Sequence, residues 1–434
     1  MDSRDHPAVL DPSPAARTLP ARLALPACWL LTRAAMLLLL VQEAAHPLGV
    51  GGVAREVHEL YARWGTTLAQ GSFPAGDPLW QYPPGAGPLL LAPGLLPGLT
   101  YFQAFVTLTL ATDALVGYAL ARGGREPAGA WLWTAGLPLL LHIPLARYDV
   151  EVTALAVLAL LCMGRSPRVA GTLAALGALV KVWPALTLLG VERGRTARQA
   201  WGAALAAAAA MLLVLAVAFR SPLSFLSGQG GRGVQIESLG GTALGLARHA
   251  GWPGRVRYRY GAMEFVGPHV GTVAAAAVAL TAAAFVILLW WRLRARHHTA
   301  ATPYDAALCA VLTFTVTSRV ISPQYLVWLL GLAAVCLTSR HTTQRPVALL
   351  ILAAAGVSAL AYPVLYADVM AGTWAGVAVM VVRNALLLGA ALLSFRRLWK
   401  ATVPNPRADL RASLRADLSA EPRGKRPAAT PTTG

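Results

Sequence analysis

Residues 169–191 read VAGTLAALGALVKVWPALTLLGV, between two basic clusters, GRSPR (164–168) and ERGRTAR (192–198). Cytoplasmic loops of membrane proteins collect Lys and Arg, which puts both flanks on the cytoplasmic side. The segment between them must therefore cross an even number of times. Its 23 residues suffice for only one ordinary span, at about 20 residues per crossing. Two half-helices broken near KVWP (181–184) satisfy both conditions.

The rest of the chain supports a membrane reading. Of 434 residues, 56% are hydrophobic and 13% charged, and the mean hydropathy is +0.55. A water-soluble domain could not bury that much apolar surface. The net charge of +18 does not signal nucleic-acid binding, which needs a basic patch on a soluble face. The arginines instead sit in short clusters between apolar runs: RGGRE (122–126), RLRARHH (292–298), SRHTTQR (339–345) and the tail from Arg396. Cys28, Cys162, Cys309 and Cys336 lie inside apolar runs without paired spacing. They read as small buried hydrophobes, with no disulfide framework and no metal site.

Placing every basic cluster inside yields a topology. Residues 1–22 are expected to form a disordered cytoplasmic segment, followed by an uncleaved first helix at about 23–45. Loops 46–82 and 220–266 are expected outside. The run 85–97, GAGPLLLAPGLLP, is short and proline-broken. It is followed at once by 101–121, which must return the chain to RGGRE, so 85–97 is expected to be re-entrant. Broken backbone survives at membrane depth only where protein or water covers it. Residues 147–151 (RYDVE) are expected as an external turn, and the chain from Arg396 as a disordered cytoplasmic tail. The fold class is thus an all-α polytopic membrane protein of about 10–13 transmembrane or re-entrant helices, both termini cytoplasmic.

Ionisable residues at membrane depth are costly and mark function by default. Lysine occurs only at 181, 400 and 425, and Lys181 falls at the expected helix break. Half-helix breaks recur as ligand sites, and an ammonium there suits a phosphate, aided by the guanidinium forks of Arg147 and Arg319. In REVHELYARW (55–64), Glu56 and Glu59 are candidate general bases facing the external cavity. Trp80, Gln81 and Tyr82, which precede the double proline, are expected to line the sugar end of that cavity. Arg383, His142 and Asp113 fall within apolar runs and need partners.

Taken in order, YARW (61–64), WQYPPGAGPLL (80–90), ARYDVEVTALAVLALL (146–161), AALGALVKVWPALTLLG (174–190), RGVQIESL (232–239), TSRVISPQYLVWLLGL (317–332), YPVLYADV (362–369) and VRNALLL (382–388) resemble glycosyltransferase family 87. These are actinobacterial membrane proteins of the GT-C superfamily that include polyprenol-phosphate-mannose-dependent mannosyltransferases. The resemblance covers most of 23–395. It implies a GT-C-like bundle in the plasma membrane. It also implies an inverting transfer from a polyprenyl-phosphate sugar, mannose first and arabinofuranose second, to an extracytoplasmic glycan or glycolipid, without a cofactor. A first-loop carboxylate would be the base; relatives usually carry aspartate, and here Glu56 holds the place with Glu59 nearby. Lys181, Arg147 and Arg319 would hold the donor phosphate. Trp80, Gln81, Tyr82, Asp149, Gln324 and Tyr325 would contact sugar or acceptor. A transporter or flippase is the rival reading, but transporters commonly carry two similar halves, and no such repeat is visible.

Overall fold

The computed structural model describes residues 19–45, 52–228 and 232–404. In chain order the helices are α1 (Leu19–Ala45), α2 (Ala62–Ala69), α3 (Ala86–Leu91), α4 (Tyr101–Gly123), α5 (Ala128–Gly136), α6 (Asp149–Cys162), α7 (Pro167–Val180) and α8 (Arg195–Ala218). There follow α9 (Leu239–His249), α10 (Val270–Arg294), α11 (Thr302–Thr317), α12 (Tyr325–Leu337), α13 (Arg345–Ala359), α14 (Tyr366–Ala371) and α15 (Trp374–Thr402). Strands β1 (Val234–Gln235), β2 (Arg255–Arg259) and β3 (Ala262–Val266) form one small antiparallel sheet of order β1-β3-β2. The chain is therefore the helical membrane bundle expected.

Among the described residues six helices are long and apolar enough to cross a bilayer: 23–43, 101–123, 195–218, 270–294, 345–364 and 374–402. Shorter apolar helices at 86–95, 128–140, 167–180 and 325–337 complete the bundle. The long helices divide by surroundings. Only 11% of the apolar stretch of α10 and 17% of that of α8 is buried by protein, against 50% for 345–364. The first two form a rim facing lipid tails; the last packs inside. Short α12 is enclosed almost completely, from Leu326 to Cys336. Close approach is bought with small residues, as in other membrane bundles. On α7, a Cβ at Gly171 would lie 2.0 Å from the Ala200 carbonyl oxygen of α8.

Both broken segments are broken. The run 85–97 makes a short α3, a 3-10 turn (Ala92–Leu95) and an exit to α4. Helix α7 stops at Val180, Lys181 is extended (φ −145°, ψ 135°), and Trp183–Leu188 continues as a 3-10 turn. Proline at 184 explains the stop, since it supplies no amide donor to the Val180 carbonyl four residues back and its ring clashes with that carbonyl. The two breaks touch. Gly85 N donates to the Leu179 carbonyl at 2.8 Å, and a Cβ on Gly85 would lie 2.6 Å from that carbonyl's carbon and oxygen.

Three boundaries differ from expectation. Residues 147–151 are not all turn: α6 begins at Asp149, so Asp149 and Glu151 occupy its first turn, where carboxylates complement the helix dipole. The first helix begins by Leu19, and α15 runs on to Thr402. Trp291 Nε1 donates to Thr402 Oγ1 at 2.9 Å, which ties that last turn to α10. The rest of the expected terminal segments, 1–18 and 405–434, lies outside the described residues.

Candidate active site

Residues 52–61 enter the site as a tight turn and then a π-turn, Glu56–Tyr61. Their position is set from the end of α1. Glu43 accepts from Val53 N and from His142 Nε2, the latter at 2.8 Å, all buried. Arg147 Nη1 donates to the Val53 carbonyl at 2.8 Å. With the turn pinned from two sides, Glu56 Oε2 meets Arg147 Nη2 at 2.8 Å, and the carboxylate side chain keeps 26% exposure. Glu59 points away. It pairs with Arg55 at 3.0 Å on the outer surface and is 62% exposed.

A second carboxylate–cation pair stands beside the first. Lys181 Nζ lies 2.6 Å from Asp149 Oδ1, and Trp328 Nε1 donates to the same oxygen at 2.6 Å. The helix break aims Lys181 back at α6, and the first turn of α6 supplies its partner. Rings surround the ammonium: Tyr148 at 4.7 Å, Trp328 at 5.1 Å, Tyr325 at 5.9 Å and Tyr82 at 6.0 Å. Tyr325 stacks on Trp328 at 3.9 Å, and Trp183 stacks on the same indole at 5.2 Å. Cation–π attraction from these rings adds to the Asp149 contact in holding the ammonium.

Tyr82 joins the two pairs. Its ring meets Tyr148 edge-on at 5.2 Å and Trp64 at 5.7 Å. Burial, then the charges of Glu56 and Asp149, push its hydroxyl well above the usual phenol range, against the opposing pull of Arg232 and Arg147. Tyr82 is therefore a neutral hydroxyl, a hydrogen-bond donor and not a base. Trp80 is buried behind it, edge-on to both Trp64 and Tyr82. Gln81 is buried too, and its Nε2 donates to the Pro78 carbonyl at 3.2 Å. Of the WQY triplet Tyr82 faces the charged groups, and Trp80 packs behind it.

Across from these groups lies the sheet. Arg319 Nη1 donates to the Arg232 carbonyl at 2.9 Å, and Gln235 N donates back to the Arg319 carbonyl at 3.1 Å. Arg232 acts electrostatically on both Tyr82 and Tyr325, which places this arginine near the Lys181 box. Gln324 is half-buried at the N-cap of α12. Beneath them Gln235 Nε2 donates to Glu237 Oε2 at 3.2 Å, and Arg383 Nη1 lies 3.7 Å from Glu237 Oε1. Arg383 also donates to the Glu237 carbonyl, as does Asn384 Nδ2 at 3.1 Å. Burial outweighs Arg383 and pushes the Glu237 carboxyl up to about 7.

Several site members escaped a residue-by-residue reading. Trp183 and Trp328 sit in apolar runs where aromatics normally mean core, and Tyr61 and Tyr148 sit in charged stretches whose acids and arginines drew the reading; only an acid closing an apolar helix, as at Glu43, signals more. Asp113 and His142 have structural partners: Asp113 binds Arg33 bidentately at 2.8 Å, and His142 holds Glu43. Among the described residues no His, Cys, Asp and Glu are grouped to hold a metal.

The arrangement offers a half-exposed carboxylate paired to an arginine, a nearby Lys–Asp pair and aromatic walls, at the meeting of two broken helices. A carboxylate able to accept a proton, cations able to offset an anion and ring faces able to stack on a ligand are all within one site.

No curated protein matches the sequence. Among solved structures the chain is similar to the crystal structure of ArnT from Cupriavidus metallidurans bound to undecaprenyl phosphate. The identity is 16%, 86% of this chain and 77% of that chain are covered, and the TM-score is 0.41. The family model of glycosyltransferase family 87 matches residues 80–323, more than half of the chain. That stretch holds Tyr82, Arg147, Asp149, Lys181, Arg232 and Arg319. The chain belongs to glycosyltransferase family 87 and is a membrane glycosyltransferase.

Proposed function

We propose that the protein transfers a sugar, mannose first and arabinofuranose second, from a polyprenyl-phosphate donor to a hydroxyl of an extracytoplasmic glycan or glycolipid, with inversion. The transferase unit comprises about residues 23–395, in the plasma membrane, with both termini cytoplasmic by the distribution of arginines. One observation carries the reading: Glu56–Arg147 and Asp149–Lys181 converge on Tyr82. Glu56 is the general base and Glu59, paired outward with Arg55, is not.

In the reaction the acceptor oxygen attacks the anomeric carbon from the face opposite the phosphate. Its proton passes to Glu56, the carbon–oxygen bond to phosphate breaks, and polyprenyl phosphate departs with the electron pair. Single displacement inverts the configuration, the in-line logic of inverting glycosyl chemistry. Arg147, Arg319 and Lys181 offset the charge developing on the phosphate. Asp149 holds Lys181 in place before the donor arrives. Tyr82 and Tyr325 offer ring faces to the sugar, with Trp328 stacked behind Tyr325, and Asp149 and Gln324 offer polar contacts. Trp80 and Gln81 act through Tyr82, as positioning residues.

The test is sugar transfer from labelled polyprenyl-phosphate mannose, and separately from the arabinofuranose donor, by membranes containing the protein. Glu56→Gln should lower transfer by about 10²–10⁴-fold, the usual worth of a general base, and Glu59→Gln should leave it unchanged. Full activity in Glu56→Gln removes the base assignment. Transfer from neither donor by the wild type removes the donor assignment.

A further inference from the structure

The end of the α7–α8 pair opposite Lys181 carries a second built feature. There Arg168, Arg195, Arg198, Gln199, Gly202 and Ala203 line a groove of about 500 Å³. Arg168 lies in the first turn of α7 and Arg195 opens α8, so both helices point their N-terminal, partly positive ends toward it. None of the three arginines has a hydrogen-bond or ion-pair partner among the described residues. Three exposed guanidinium groups lining one groove repel one another, and a bound anion relieves that repulsion.

What borders the groove indicates the anion. Positions 195, 198, 199, 202 and 203 share one face of α8, and that face continues through Ala206 and Ala210, both exposed, to Leu213, 65% exposed. Trp201, 42% exposed, lies at the same level of α8 on another face, and tryptophan favours the headgroup level of a bilayer. A charged cup thus opens onto a smooth apolar track lying in the acyl region. A soluble anion would use the cup and leave the track empty.

We infer that this groove binds the phosphodiester headgroup of an anionic phospholipid, with one acyl chain along the alanine face of α8. Arginine forks match phosphate oxygens in pairs, and basic pockets between membrane helices suit such headgroups. The 14 residues of α7 separate the groove from Lys181 by about 20 Å at 1.5 Å per residue. The lipid therefore lies outside the transfer site and clamps the far end of the helix that positions Lys181.

The experiment uses purified full chain in nanodiscs of phosphatidylcholine, alone or mixed with phosphatidylglycerol. Phosphatidylglycerol should raise the wild-type Tm by about 3 °C or more, as a ligand selective for the folded state does. Native mass spectrometry should show one more phosphatidylglycerol retained on the wild type than on R168Q/R195Q/R198Q. That variant should match the wild type in phosphatidylcholine and lose the shift. Should it fail to fold, R198Q alone should show a smaller shift and lower retention. An equal shift and equal retention in wild type and variant would overturn the site. A shift reproduced by inorganic phosphate in phosphatidylcholine discs would overturn the lipid, leaving a free-anion site.

Discussion

Arg33–Asp113 and Lys181–Asp149 are both ion pairs buried inside the bundle, and they are completed in different ways. Asp113 accepts from Arg33 Nε and Nη2 and from Trp29 Nε1, each at 2.8 Å, and from Trp133 Nε1 at 2.7 Å. Arg33 Nη1 spends itself on the Thr134 carbonyl at 2.7 Å. Nothing is left over. Asp149 takes Lys181 and Trp328 on one oxygen, while its Oδ2, the neighbouring Tyr148 hydroxyl and Trp183 Nε1 stay buried without a hydrogen-bond partner among the described residues. Buried polar atoms are normally satisfied. A saturated pair bolts helices α1, α4 and α5 together; an unsaturated one holds capacity for something that arrives.

The contrast is sharpest if each pair is cut on its cationic side. Lys181→Met should lower sugar transfer by about 10²-fold or more, as loss of a preorganised charge at a reacting phosphate does. Arg33→Met should instead destabilise the protein by about 3–5 kcal/mol, because a fully dry carboxylate is left unpaired. Urea unfolding in micelles and transfer assays on the folded fraction separate the two. The comparison breaks if the Arg33→Met protein is as stable as wild type, or if Lys181→Met transfers at the wild-type rate.

A smaller effect is expected where the two broken segments meet. Gly85→Ala forces a methyl group to within 2.6 Å of the Leu179 carbonyl, an overpacking cost of about 1–3 kcal/mol. If that contact holds the site together, transfer by the folded fraction falls as well. A variant both stable and fully active would mean that Tyr82 and Lys181 are positioned independently.

The smallest predicted effect concerns Glu237, a third buried acid paired with a cation, here Arg383 at 3.7 Å. Its carboxyl sits above its ordinary value of 4.5, at about 7, because burial outweighs Arg383. A raised acid favours the folded state below pH 4.5 and loses that contribution as pH rises through 7. Wild-type Tm should therefore decline between about pH 4.5 and pH 7. Glu237→Gln should flatten that decline. An identical pH profile in both proteins would show that Glu237 does not titrate in this window.

Some of this was legible from residue order alone. The flanking clusters at 164–168 and 192–198, with proline at 184, require α7 to stop near Lys181, because charge bias and proline chemistry act locally. The same holds for the proline-broken run after Tyr82. Pairing was not legible. Asp113, Asp149 and Glu237 are each one acid in or beside an apolar stretch. Whether such an acid is saturated by arginine and tryptophan or left half-satisfied depends on residues up to 179 positions away, as with Trp328 and Asp149. Glu56 and Glu59 likewise share a ten-residue stretch, yet the π-turn directs one to Arg147 and the other to the outer surface.

Hydropathy and the distribution of arginines thus determined a membrane bundle, its breaks and the region of its site, since each reflects a local transfer cost between water and lipid. Which acid meets which cation, and with how many hydrogen bonds unspent, was decided only when α1, α6, α7 and α12 packed together. Those contacts join distant parts of the chain, and their energies depend on three-dimensional separation and burial.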